Sequence, residues 1–231
     1  MALRLLAPFV AAMLAPAMPS TSRSSRVTSA EPAPVRFVFI GERLWLDFVN
    51  TEDVVRGARV DALVDFDAYI DWLQIAAVLD AERAAGIRRR AVQQPTGATA
   101  ALVDARRVRD SLRALAEHGQ RSAAIRAATL AEINRVLGRS AGTRRVEPRE
   151  DGTYSRSFVP VGDAFAGLLM PIVESAADAL ILGELSRVRR CAAPRCPRVF
   201  QDATKNAARR WCDMAACGNR AKVARFRERR R

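Results

Sequence analysis

The chain contains four cysteines in 231 residues, and all four fall within the last 41. Cys191 and Cys196 are separated by four residues, fifteen residues follow, and Cys212 and Cys217 repeat the four-residue gap. No other feature restricts the fold as strongly. Two short-loop pairs of thiols can surround one ion tetrahedrally with little chain strain, which is how structural zinc is held. A charged module of about forty residues buries too little apolar surface to fold unaided. Structural zinc contributes roughly 10–16 kcal/mol in modules of this kind. The sequence therefore predicts one structural Zn2+ on Cys191, Cys196, Cys212 and Cys217. Two disulfides are the competing use of the same thiols, and they require export. A catalytic zinc needs an open coordination position and a nearby acid or base. The sole histidine, His118, lies outside the module, near a helix end where it faces solvent or caps.

Between the cysteine pairs, "RVFQD" (198–202) and "RRW" (209–211) are β-prone ends around a polar middle, and a hairpin of these two is expected. After Cys217 the chain reads "GNRAKVARFRERRR", free of proline and rich in helix formers. A knuckle, a hairpin and a helix starting at the second pair make a treble-clef-like finger. Phe200 and Trp211 are its expected apolar core rather than base-stacking groups.

Charge is concentrated in the same place. Residues 187–231 hold 15 Lys and Arg against three acids, a net +12, while residues 1–186 hold 23 against 22 and net +1. A neutral body with a cationic end-piece points to a polyanionic partner, and to nucleic acid before a membrane surface. In the expected helix, Asn219 and Arg220 are candidates for reading bases, since Asn pairs with adenine and Arg with guanine in the major groove. Holding the finger's own backbone beside the metal is the alternative role for both. Lys205, Arg209, Arg210, Lys222, Arg225, Arg227 and Arg229 to Arg231 are candidates for phosphate contacts. Helical spacing alone does not separate the face 219, 222, 226 from the face 220, 223, 227.

The body is predominantly helical by periodicity. Segment 65–79 places Phe66, Tyr69, Ile70 and Leu73 on one face; 98–119 does so with Leu102, Ala105, Val108, Leu112 and Leu115; 123–138 is a third helix. A fourth is expected over 161–186, kinked at Pro171 and forming the centre of the body's core. "RFVFIGERLWLDFVNT" (36–51) reads as a hairpin about Gly41-Glu42, and 143–160 as a second one turning at Asp151-Gly152. Residues 1–34 combine an apolar, proline-broken, signal-like run with a Ser/Pro/Ala-rich stretch of disordered character. A start site placed too early explains that extension better than export, because the cysteine module suits a reducing compartment. The expected fold class is thus α+β: an extension (1–34), a mostly helical N-terminal domain with small β-hairpins (36–186), and a treble-clef-like four-cysteine zinc finger (187–231).

"CAAPRCPRVFQDATKNAARRWCDMAACGNRAKVARFRER" (191–229) closely resembles the CGNR zinc-finger family, named for the motif present here as Cys217-Gly218-Asn219-Arg220. The "RRWCDM" block at 209–214, Phe200 and Asp202 fit it as well, and "LDFVNT" (46–51) resembles the hallmark of the ABATE domain that accompanies this finger. The resemblance implies a bacterial DNA-binding protein that regulates stress responses, with the N-terminal domain as sensor of a small-molecule ligand. Within "LDFVNT", Asp47, Asn50 and Thr51 are either part of that sensor or a helix cap. No base, nucleophile or phosphate loop accompanies them, so no enzyme is expected. A cytoplasmic transcription regulator with DNA as partner, and with no membrane partner, is the resulting expectation. RNA binding through the same finger and a zinc–thiolate redox switch are the competing functions. Oligomeric state is not fixed by the sequence.

Overall fold

The computed structural model of the protein describes residues 37–230 apart from 56, 149–151, 153 and 163–164. The extension 1–34, Asp151 and Arg231 lie outside the described residues. Val35–Arg231 is one compact unit. Its longest helix, α4 (Pro95–His118), is preceded by α1 (Leu44–Val49), α2 (Phe66–Ile75) and α3 (Ala81–Gln93) and followed by α5 (Ala123–Arg139). Helix α6 (Met170–Ile181) and a 3-10 turn (Glu184–Arg187) lead to the cysteine module, which ends in α7 (Asn219–Glu228). Among the described residues, three antiparallel two-stranded sheets complete the fold: β1 (Glu52–Val55) with β2 (Ala58–Asp61), β3 (Gly142–Pro148) with β4 (Tyr154–Pro160), and β5 (Val188–Arg190) with β6 (Val199–Gln201). The protein is α+β, mostly helical. Among the described residues no helix is long and apolar enough to cross a membrane.

Local signals explain most helix starts. Asp65 caps α2 by accepting from the Ala68 amide at 2.7 Å, Asp80 caps α3 through Arg83 at 2.7 Å, and Ser122 caps α5 through Ile125 at 3.3 Å. Pro95 opens α4 in the first turn, where a missing N–H is tolerated. Helix α4 meets α1, α2, α3, α5 and β5, so it is the spine of the body. The 143–160 hairpin is present, with Gly142 opposite Pro160 and Pro148 opposite Tyr154.

Four expectations are corrected. The described residues of 36–51, from 37 on, form no hairpin: 37–40 are irregular and "LWLDFV" is helix α1. Its Trp45, Leu46, Phe48 and Val49 are all fully buried, enclosed by α4, α6 and β6. An apolar run buried on nearly all sides has no periodicity to distinguish helix from strand. Second, the described residues of 161–186 form no single kinked helix. Helix α6 begins only at Met170, with Pro171 in its first turn, and Gly183 at φ 68° ends it. The proline starts the helix rather than bending it. Third, "RVFQ" pairs with 188–190 instead of with "RRW", because the first knuckle folds the chain straight back, Cys191 N–H donating to the Arg198 carbonyl at 2.9 Å. The third segment forms no strand with them: its backbone bond is to the knuckle, Ala192 N–H donating to the Arg210 carbonyl at 2.8 Å. Fourth, the spine of the body is α4 rather than 161–186. Helix α3 and the β1–β2 turn at Gly57 (φ 88°) were not anticipated from the sequence.

Candidate metal centre

The four cysteine sulfurs lie within 4.8 Å of one another and are all buried. The separations Cys196–Cys212, Cys212–Cys217 and Cys217–Cys196 are 3.8, 3.7 and 3.8 Å. A tetrahedron of thiolates about 2.3 Å from a zinc ion has edges of about 3.8 Å, so the donor set fits that metal. A disulfide would instead bring two sulfurs to about 2.05 Å, and all four cysteines are free. Crowding couples the thiols. The bond from the Cys212 thiol holds Cys196 down, at about 5, and pushes Cys212 itself up. A dication held among them would supply the charge that lets all four ionise together.

The surroundings are built from local sequence. Cys217 sits on a π-turn, Met214–Gly218, which follows Cys212 and is capped by Asp213, whose carboxylate accepts from the Ala216 amide at 2.9 Å. Gly218 is packed against Met214: a Cβ there would lie 2.6 Å from the Met214 sulfur. Arg220 donates to the Cys217 sulfur at 3.0 Å, a charge-assisted contact with a candidate metal ligand. Phe200 is fully buried beneath the cysteines, with the Arg209 guanidinium 4.4 Å from its ring centre. Asp202, also fully buried, accepts from the Thr204 amide and hydroxyl at 3.0 and 2.5 Å and from the Arg209 amide at 2.9 Å. Burial opposes its charge, yet these bonds win and hold its carboxyl below the usual range.

The module is fastened to the body along the outer edge of β6. The Asn50 side chain pairs with Val199 as a peptide group would, Nδ2 donating to the carbonyl at 2.8 Å and Oδ1 accepting from the amide at 3.0 Å. Two residues on, the Gln201 amide donates to the Gly41 carbonyl at 2.9 Å. Gly41 is needed there, since a Cβ would lie 2.7 Å from the Leu46 side chain. Arg198 pairs with Asp53 at 2.6 Å, Arg209 with Glu42 at 2.6 Å, and Arg113 of α4 reaches the Pro197 carbonyl at 3.3 Å. Val188 and Val199 belong to the body's own core cluster. Of this network, Asn50, Arg209 and the Gly41-Glu42 pair stand out in the sequence, none of them for this role.

The sequence-predicted polar residues divide accordingly. Asp47 accepts from the Ile40 and Gly41 amides at 2.8 and 2.7 Å, and burial raises its pKa against those bonds. Thr51 donates to the Phe48 carbonyl at 2.7 Å and accepts from buried Arg109 at 2.9 Å. Asp47, Asn50 and Thr51 are thus all engaged inside the protein, at the start, the end and just beyond α1. Arg209 is likewise engaged, with further bonds to the Trp211 and Cys212 carbonyls. Lys205, Arg210, Lys222, Arg225, Arg227, Arg229 and Arg230 are exposed. His118 faces solvent, its side chain 63% exposed.

Among the described residues, little of the chain covers helix α7. Every residue from Asn219 to Glu228 is exposed except half-buried Ala221. Arg225, one turn beyond Ala221, stacks on Trp211 at 6.0 Å, with Arg210 against the same ring at 5.3 Å. That fixes the inner side of the helix, so the stripe Asn219, Val223, Phe226 and Arg230 points away from the finger. Val223 and Phe226 are 49% and 56% exposed on it.

Two family profiles match the chain: the CGNR zinc finger over residues 187–230, and ABATE, described as a "putative stress-induced transcription regulator", over 42–183. Neither description is that of an enzyme. No curated protein matches. With 142 of its 231 residues in the second profile and its four clustered cysteines in the first, the chain belongs to the ABATE family and carries a C-terminal CGNR zinc finger.

Proposed function

We propose that the protein is a cytoplasmic transcription regulator that binds duplex DNA through α7, positioned by a single structural Zn2+ on Cys191, Cys196, Cys212 and Cys217. The observation that carries this reading is α7 itself. A ten-residue helix with no buried residue is marginal on its own in water. Here it is anchored at its first turn by the metal ligands, where Asn219 Nδ2 donates to the Ala215 carbonyl at 3.0 Å and Arg220 holds the Cys217 sulfur. A cationic helix presented this way matches the width of the major groove.

The contacts divide by position. Asn219, at the exposed start of the outward stripe, is the base-reading candidate, with Val223 and Phe226 available to thymine methyl groups. Lys205, Arg210, Lys222, Arg225 and Arg227, with Arg230 at the far end of the stripe, serve as phosphate contacts. Arg220 serves the metal centre first. Phe200 is buried and the Trp211 ring is flanked by two guanidiniums, which leaves few free faces for stacking unpaired bases and favours DNA over single-stranded RNA.

The test uses full-length protein purified without chelator, with metal analysis and fluorescence anisotropy on random and selected 30-base-pair duplexes. About one zinc per chain is expected. If about six phosphates are neutralised, log K falls against log salt with a slope near roughly −5. Arg227→Gln reduces that slope by about one for all sequences alike, and Asn219→Ala reduces discrimination between sites. Binding indifferent to salt, or tighter binding of single-stranded RNA than of any selected duplex, overturns the reading.

A further inference from the structure

A cleft of about 560 Å3 opens on the side of the body between α4, α5 and the turn at 165–169. Its size lies in the range of small-molecule sites, ~300–1,000 Å3. Phe165, Leu168, Leu169 and Val136 form an apolar wall, and Ala100 and Ala101 keep the opposite side low. Gly97 lets the Phe165 ring lie against α4, since a Cβ would come within 3.1 Å of it. Phe66 braces the same ring edge-on at 5.4 Å.

The inner end of the cleft is polar and incompletely satisfied. Tyr69 lines it and is fully buried, yet its hydroxyl has no hydrogen-bond partner among the described residues. Burial, with the negative charge of Asp104 beside it, pushes the phenol pKa up, so Tyr69 is a neutral O–H donor. Arg135 also lines the cleft. Its Nε and Nη2 bond Glu132 at 2.8 and 2.7 Å, and Nη2 bonds Asp104 at 2.8 Å, while Nη1 is buried with no partner among the described residues. Two donors that lack an acceptor therefore flank Asp104, whose own charge is compensated by Arg107 and Arg135. Arg139 adds a third guanidinium at the mouth and makes no ion pair among the described residues. Three arginines face one aspartate in the lining, and counting Glu132 as well leaves one excess positive charge.

From these observations we infer that the cleft between α4, α5 and the 165–169 turn binds a small amphipathic carboxylate, its head accepting from Tyr69 and Arg135 and its apolar part lying along Phe165, Leu168 and Leu169. An unpaired buried donor is costly, and an acceptor brought by a ligand removes that cost. The residual positive charge selects an anion over its neutral isostere. This site is separate from Asp47, Asn50 and Thr51, whose polar atoms are engaged within the fold, and it does not depend on the finger binding DNA.

The test is isothermal calorimetry on the zinc-loaded full chain with a shape-matched pair of probes, 2-naphthoate and 2-naphthamide. Naphthoate is expected to bind at least about tenfold more tightly than the amide. Tyr69→Phe should weaken naphthoate about tenfold, and Arg135→Gln should remove the preference for the acid. Because Arg135→Gln also breaks ion pairs, Ala100→Trp provides a plug at an exposed rim position that leaves the core untouched; it should abolish binding while circular dichroism and zinc content stay unchanged. Equal binding of acid and amide overturns the inference. So does no binding of either up to millimolar concentration. Full binding in Ala100→Trp also overturns it, because it assigns the anion to the cationic finger.

Discussion

Replacing Asn50 by alanine tests whether finger and body are one folding unit. The substitution removes both bonds to Val199 and leaves a buried amide and carbonyl of β6 facing a small void. Each unsatisfied buried group costs about 1–3 kcal/mol, so the pair costs about 2–6 kcal/mol, the lower half applying if a water enters. At about 3 kcal/mol, and roughly 2–4 °C per kcal/mol for a unit of this size, the melting temperature should fall by about 6–12 °C. The same loss loosens the strand that leads from the first cysteine pair, so zinc transfer to a chromogenic chelator should accelerate at least about tenfold. Asn50→Asp keeps the acceptor for the Val199 amide but turns a negative charge towards the carbonyl, and should be no better than alanine. The assay is thermal unfolding of zinc-loaded full-length protein followed by circular dichroism, with chelator kinetics alongside. A melting temperature within about 1 °C of the parent and unchanged zinc release would refute the reasoning.

Asp61, paired with Arg109 through two bonds of 2.6 and 2.7 Å, is pushed up by burial but held lower overall by the arginine. Its stabilisation is therefore complete above the ordinary carboxylate range and lost as pH falls through the lowered folded value. Asp61→Asn should destabilise the protein at neutral pH by up to about 3–5 kcal/mol, moderated by Thr51 and Glu52, and should flatten the acid limb of the melting-temperature profile. Trp211→Ala, at a half-buried ring, should cost less than the about 3–5 kcal/mol of a fully buried aromatic and still weaken zinc retention measured by chelator competition. Intact zinc affinity with lost DNA binding would make Trp211 a contact residue instead. Arg220→Leu should lower zinc affinity through the lost bond to Cys217; unchanged affinity with altered site preference in anisotropy would make Arg220 a base reader.

How much the sequence reveals depends on whether a feature is local. The clustering of the four cysteines is legible because thiol spacing constrains geometry directly, and α2, α4 and α5 because one face of each is wet and the other dry. The β3–β4 hairpin is legible from its turn residues. Helix α1 is not, since it is dry almost all round. Pro171 is ambiguous between kink and start, because the apolar stripe continues on both sides of it and Leu168 and Leu169 are buried without being helical. Arg109 and Arg113 look like ordinary charges on a surface helix, yet they are 2% and 8% exposed. Their counter-charges, Asp61 and Glu52, lie 48 and 61 residues away. Fastening of the finger follows the same rule: Asn50 meets Val199 across 149 residues, and no window of sequence contains both.

The peptide-like embrace of β6 by Asn50 and Gly41 also bears on how this finger can be shuffled between proteins. Severed at the junction near residue 187, the module would carry an open strand edge, with the Val199 and Gln201 amides pointing into solvent beside an otherwise apolar strand. Such an edge recruits whatever backbone is nearest, including another copy of itself. A graft would therefore need more than the cysteines: it must bring a surrogate for the side-chain amide of residue 50 and the carbonyl of residue 41. The smallest transplantable piece is thus the finger together with the stretch around α1, two segments distant in the chain that behave as a single part.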